Sequence, residues 1–217
     1  MPLLLCDLDD TLVDRARVFA GWLDDFARMH RLPDADRDWV QALDGGGATP
    51  RADFFGPLAD RIGTPRPVSD LMAQWVVDFP ARYRPDLGVL DALRGARSAG
   101  WRLGIVTNGH SLVQGRKIAA AGLDAEVDAV CISEEVGFHK PDPQIFHRAA
   151  QRASSSLAGG WMVGDNPVAD IAGGSAVGLR TVWLSRGRPW PLTDLAPEQV
   201  AASPAEAIRT VVASQGQ

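Results

Sequence analysis

Five short apolar runs constrain this chain more than any other feature. They occupy residues 3–6, 103–106, 129–132, 161–163 and 181–184, and each ends in polar residues or glycine. From residue 87 onward, helical patterns alternate with them. Leu87, Leu90, Leu93 and Ala96 keep helical spacing before Gly100. Leu112, Ile118 and Ala119 do so less regularly before Gly122, and Ile145, Ala149 and Ala153 follow Pro143, a favourable first-turn residue. Strands this apolar have no solvent face. The alternation therefore predicts an α/β fold: a Rossmann-like parallel sheet with helices on both faces.

Residues 14–85 break this rhythm. They hold no convincing strand, but helical stretches carry Trp22, Leu23, Phe26 and Met29, then Leu71, Trp75 and Phe79, with the turn-rich loop DGGGATP at 44–50 between them. The prediction is a helical domain inserted after the first strand, so that residues 1–13 and 86–217 form the core and 14–85 the insertion. A length of 217 residues suits a core domain with such an insertion. Residues 214–217 are expected to fray.

A net charge of −5 argues against a nucleic-acid or membrane-surface partner, since both reward a basic face. The two cysteines, Cys6 and Cys131, sit inside predicted strands and read as reduced core residues. The amino terminus shows no basic region followed by a long apolar stretch, and no apolar run is long enough to span a bilayer. A cytoplasmic location is the expectation.

In open α/β sheets, ligands bind beyond the carboxyl ends of the strands. The first run is followed there by Asp7, Asp9 and Asp10, the second by Thr107, Asn108 and Gly109. The third leads through a short loop to His139 and Lys140, and the fourth to Asp165, Asn166 and, further on, Asp170. So many carboxylates at one edge repel one another unless something positive is present. Asp7 and Asp165 offer the hard oxygen ligands that Mg2+ prefers. Lys140, one of only two lysines, offers a point charge suited to phosphate. Thr107 and Asn108 add neutral donors, and the amides beyond them open a helix near Ser111, a favoured anion position. Carboxylates with Mg2+ beside a phosphate cradle suggest phosphoryl transfer. Asp10 reads better as a turn or capping residue, an alternative also open to Thr11, and His139 as a solvent-facing one.

The stretches DLDDT at 7–11, VTNG at 106–109, HKPDP at 139–143 and GDNPVAD at 164–170 resemble, in order and spacing, the four motifs of the haloacid dehalogenase-like hydrolases. The resemblance covers the core, and the insertion is similar to that family's helical cap. It implies that Asp7 is a nucleophile forming an aspartyl phosphate, and that Asp9 is the general acid and base. It further implies that Mg2+ is held by the Asp7 side chain, the Asp9 backbone carbonyl and Asp165, while Thr107 and Lys140 hold the phosphoryl oxygens. Asp170 would support the metal site from behind or orient Lys140. Where the family often has Asn before this last aspartate, this chain has Ala169.

Within the family, Asp9 disfavours dehalogenase chemistry, which has no use for an acid there. A phosphonatase would need a lysine in the cap, and residues 14–85 contain none. The expected activity is a Mg2+-dependent phosphatase acting on a small phosphorylated metabolite: a nucleotide, a sugar phosphate or a phospho-acid. A phosphomutase or a catalytically weak regulatory protein on the same core are the alternatives. The stretch SEEVGFHKPDPQIF at 133–146 resembles broad small-phosphate hydrolases, including pyrimidine nucleotidases. Within the insertion, Arg51 beside the glycine turn is the candidate substrate contact, with Arg15 and Arg17 weaker ones. Oligomeric state is not legible in the sequence.

Overall fold

A computed structural model describes residues 1–214. Contacts divide the chain into two compact units, Met1–Val13 with Arg84–Gln217 and, between them, Asp14–Tyr83. Residues 215–217, and with them most of the tail expected to fray, lie outside the described residues.

In the first unit, six strands among the described residues form one parallel sheet: β1 (Leu3–Cys6), β2 (Arg102–Thr107), β3 (Ala129–Ile132), β4 (Trp161–Gly164), β5 (Arg180–Leu184) and β6 (Gln199–Ala201). Their spatial order is β3-β2-β1-β4-β5-β6. The chain builds outward from β1 on one side and then returns to its other side at β4. That reversal lies between β1 and β4, where an open α/β sheet leaves a crevice at its carboxyl edge. Cys6 sits opposite Ile105 on one side and Val163 on the other, so Asp7 emerges beside the ends of both β2 and β4. The first five strands match the apolar runs to within a residue. The sixth was not anticipated.

All four residues of β1 are buried. Leu3 and Leu5 share a core with Val106, Cys131 and Met162, and with Ile145, Phe146 and Ala149 of helix α8 (Pro143–Arg152). These strand residues recur at every second position, as one sheet face requires. On this side α8 packs on β2 and β3, beside α9 (Gly173–Ala176). On the other, α5 (Leu87–Ser98) and α10 (Pro204–Ala213) pack together against the sheet. Helix starts follow their capping chemistry. Asp86 accepts from Gly88 and Val89 N–H, and Asp142 accepts from Gln144 N–H with Pro143 in the first turn. Both cysteines are free and buried.

The second unit is helical: α1 (Arg15–His30), α2 (Arg37–Asp44), α3 (Arg51–Ile62) and α4 (Val68–Asp78). Its core is aromatic. Trp75 stacks on Phe79 with ring centroids 3.9 Å apart and meets Trp22 edge-on at 4.7 Å. Phe19, Phe54 and Phe55 close around them. Met29 departs from the expected apolar stripe and is 71% exposed. Asp44 is buried and accepts from Arg15 at 2.8 Å and Arg51 at 2.9 Å. Gly47 has φ +92°, and a Cβ there would lie 2.7 Å from Arg15 Nε, so the turn requires glycine on both counts.

Among the described residues, no helix is long and apolar enough to cross a membrane.

Candidate active site

The carboxyl edge of the sheet brings three acidic side chains together. Asp7, Asp165 and Asp170 each place a carboxylate oxygen within 4.8 Å of the others. Asp7 continues the ladder of β1, its N–H donating to Val163 C=O at 2.9 Å. Asp165 follows β4 directly. Asp170 comes from the π-helical stretch Pro167–Ala172, which Asn166 caps by accepting from Val168 and Ala169 N–H. Asp170 fits only because residue 164 is glycine: a Cβ there would lie 2.3 Å from its carboxyl carbon.

Lys140 reaches into this group from the loop after β3. Its ammonium donates to Asp7 Oδ1 and to Asp170 Oδ1, both at 2.6 Å, and all three residues are buried. The second oxygen of Asp170 accepts from Asn166 N–H at 3.0 Å. Both Asp170 oxygens thus have protein partners, which suits a residue orienting the lysine. Asp165 is held from the other side, its carboxylate accepting from Arg188 at 3.0 Å and its carbonyl from Trp183 Nε1 at 2.9 Å.

Charge remains unbalanced. Burial pushes the Asp7 carboxyl up to about 8; Lys140 opposes this and Asp170 adds to it. Burial and then Asp170 push Asp165 up to about 6 against the pull of Arg188. Lys140 itself is raised: burial disfavours its charge, but Asp170 and Asp7 outweigh that. Crowded carboxylates, with ionisation resisted at Asp7 and Asp165, form a hard-oxygen donor set that fits a divalent cation such as Mg2+.

Thr107 ends β2, buried, and donates weakly at 3.4 Å to Asn108 C=O. The other predicted donors are already engaged. The Asn108 carboxamide clasps the backbone of Lys140, donating to its C=O at 2.9 Å and accepting from its N–H at 2.8 Å. Gly109 N–H donates to Ser133 Oγ at 2.9 Å. At the helix start that the sequence suggests for an anion, Glu134 accepts from Ser111 N–H at 2.7 Å, so the protein's own carboxylate fills that position. Asp9 accepts through its carboxylate from Lys117 and Gln114 of α6 (Ser111–Ala120). Its predicted metal contact, through the backbone carbonyl, does not depend on the side chain.

Asp10 adopts φ 57°, a left-handed conformation that suits the turn role expected of it, and its C=O accepts from Arg186. Thr11 is buried with its hydroxyl unsatisfied, which the capping role does not explain. His139 is exposed. Arg51 belongs to the helical unit, where it pairs with Asp44, donates to Thr49 C=O at 2.6 Å and lies over Phe54 and Trp75. The same unit holds Arg15, buried on Asp44 over Phe19.

Lys117, Gln114, Arg186 and Arg188 escaped the sequence reading. Lys117 carried one usable signal: the rarity of lysine in this chain.

The model of the family described as haloacid dehalogenase-like hydrolase matches residues 1–178. A phosphoserine phosphatase of Thermus thermophilus is 32% identical, the match covering 94% of each chain. A glyceraldehyde 3-phosphate phosphatase of Pyrococcus abyssi is 30% identical over 87% of this chain and 83% of its own. In fold, the HAD-hydrolase YfnB of Bacillus subtilis, solved with magnesium bound, superposes with a TM-score of 0.79 at 22% identity over 97% of this chain and 98% of that one.

Proposed function

This chain belongs to the haloacid dehalogenase-like hydrolases and acts on phosphoesters, and we propose that it is a Mg2+-dependent phosphatase of small phosphomonoesters working through an aspartyl phosphate. The observation that carries this reading is the buried Asp7–Lys140–Asp170 constellation beside Asp165 at the edge where β1 and β4 part. Such a site pairs a carboxylate nucleophile with a fixed cation. The two phosphatase relatives support the direction of the chemistry.

In the first half-reaction, Asp7 attacks phosphorus and a new carboxyl O–P bond forms as the P–O bond to the leaving group breaks. Asp9 gives its proton to the departing oxygen. In the second, water attacks the phosphorus of the aspartyl phosphate, Asp9 takes the water's proton, and phosphate leaves with Asp7 restored. Lys140, held by Asp170 and by the Asn108 clasp on its backbone, neutralises phosphoryl oxygens as charge builds, and Thr107 donates to another. Mg2+ would be held by Asp7, Asp165 and the Asp9 carbonyl, where it offsets the carboxylate repulsion and the substrate's charge.

The helical unit Asp14–Tyr83 is assigned as the cap that selects the leaving group. Nucleotides, sugar phosphates and phospho-acids all fit the proposed chemistry.

The test is release of 4-nitrophenol from its phosphate ester with Mg2+. Asp7→Asn is expected to abolish it, a fall of at least about 1000-fold. Activity in that variant near the wild-type level would overturn the reading.

A further inference from the structure

The chain has two lysines, and each buries its ammonium against a carboxylate of the DLDDT stretch. Lys140 serves Asp7. Lys117 serves Asp9: its side chain is 4% exposed, and its Nζ donates to both Asp9 oxygens, at 2.8 and 2.7 Å. Gln114, one turn earlier on the same face of α6, is 2% exposed. Its amide donates to Asp9 Oδ2 at 2.9 Å and to Thr107 Oγ1 at 2.6 Å.

Burying an ammonium costs several kcal/mol before its partner offsets it. A stabilising pair has no need to end on a carboxylate two residues from a nucleophile. An aspartate carboxylate, free to turn about two side-chain bonds, also has a wide range of orientations. One donor across both oxygens and a second donor on Oδ2 fix the plane in which this one lies. Gln114 acts on Thr107 in a complementary way. Because it donates to the threonine oxygen, the hydroxyl proton must point elsewhere. Its present acceptor, Asn108 C=O, lies at a weak 3.4 Å. Thr107 is thereby kept as a donor. Room for this amide exists because residue 109 is glycine: a Cβ there would sit 3.0 Å from the Gln114 side chain.

We propose that Lys117 and Gln114 are positioning residues, holding Asp9 in line for proton transfer at the leaving oxygen and tying it to the Thr107 arm of the phosphate cradle. This rests on the phosphatase reading above. Proton transfer to the leaving oxygen matters most when that oxygen is basic. The defect should therefore depend on the leaving group, which a merely structural role would not produce.

The experiment compares wild type, Lys117→Met, Lys117→Arg and Gln114→Met on a series of substituted phenyl phosphates, from 4-nitro to unsubstituted, with Mg2+. Thermal melting of each variant is recorded alongside. For unsubstituted phenyl phosphate, kcat is expected to fall about 30-fold in the methionine variants with KM little changed, against about threefold for 4-nitrophenyl phosphate. Lys117→Arg should recover part of the difference. If Lys117→Met does not fold, Gln114→Met decides the matter, since it leaves the ion pair intact. Losses equal across the series, or no loss, would overturn the positioning roles while leaving the phosphatase reading standing. A wild type that turns over none of the series would overturn both.

Discussion

The two units bury charge in opposite ways. In the helical unit, one carboxylate, Asp44, is shared by two guanidiniums, which also lie over Phe19, Phe54, Phe79 and Trp75. In the α/β unit, one ammonium, Lys140, is shared by two carboxylates, and a third stands within 4.8 Å. Cations in excess can spread over aromatic faces, so the first arrangement is complete as folded. Carboxylates in excess have no such recourse, and the second arrangement resists its own ionisation. One cluster is balanced within the fold, and the other keeps an excess of carboxylates that a cation would offset.

Removing one carboxylate from each cluster should have unlike effects on stability. Asp44→Ala leaves two guanidiniums without their carboxylate and is expected to cost about 3–5 kcal/mol, read as a lowered denaturation midpoint. Asp7→Asn removes a carboxyl whose ionisation is resisted by burial. At neutral pH without divalent ions, it should leave the melting temperature unchanged or higher while activity disappears. Two melting temperatures that fall together would break the contrast.

A smaller effect tests the packing behind the acidic group. Gly164→Ala drives a methyl into the space of the Asp170 carboxyl. Lys140 would lose its alignment, and activity on 4-nitrophenyl phosphate should drop about 10- to 100-fold with only a modest loss of stability.

The smallest effect is a pH trend. Asp7 and Asp165 are raised from 3.8, to about 8 and about 6, so the folded state binds protons more tightly than the unfolded chain. Their contribution to stability is fully present below about pH 4 and is lost as pH climbs through about 6 and then about 8. A cation competes with those protons. Stabilisation by saturating Mg2+, measured by melting against EDTA, should therefore grow from about pH 5 to about pH 8, by on the order of 1–2 kcal/mol. A Mg2+ shift that shrinks with rising pH would contradict the assignment of these carboxylates.

The sheet was largely legible because buried parallel strands are apolar throughout, and the residues just past their ends must face the crevice. That logic reaches Asp7, Thr107, Lys140 and Asp165 without a structure. It misses β6, a three-residue edge strand whose Val200 is 57% exposed, since so short a segment has almost no pattern to read. It also misses Lys117 and Gln114. A polar residue on a helix reads as solvent-facing by default, and spacing alone does not reveal which face turns inward. Arg188 and Arg186 lie in an irregular stretch after β5, where periodicity offers no guide. Asn108 is a candidate in the sequence by its place after β2, but its partner, the backbone of Lys140, lies 32 positions away and leaves no trace in the local sequence.

That clasp has a consequence for how the site comes apart. By reading both backbone polar groups of one residue, Asn108 sews the lysine loop to the strand bearing the threonine, much as a neighbouring strand would. The ammonium and the hydroxyl then belong to a single mechanical part. Heat or denaturant should take both away in one step, and a protein that has lost the lysine from this edge will have lost the threonine as well.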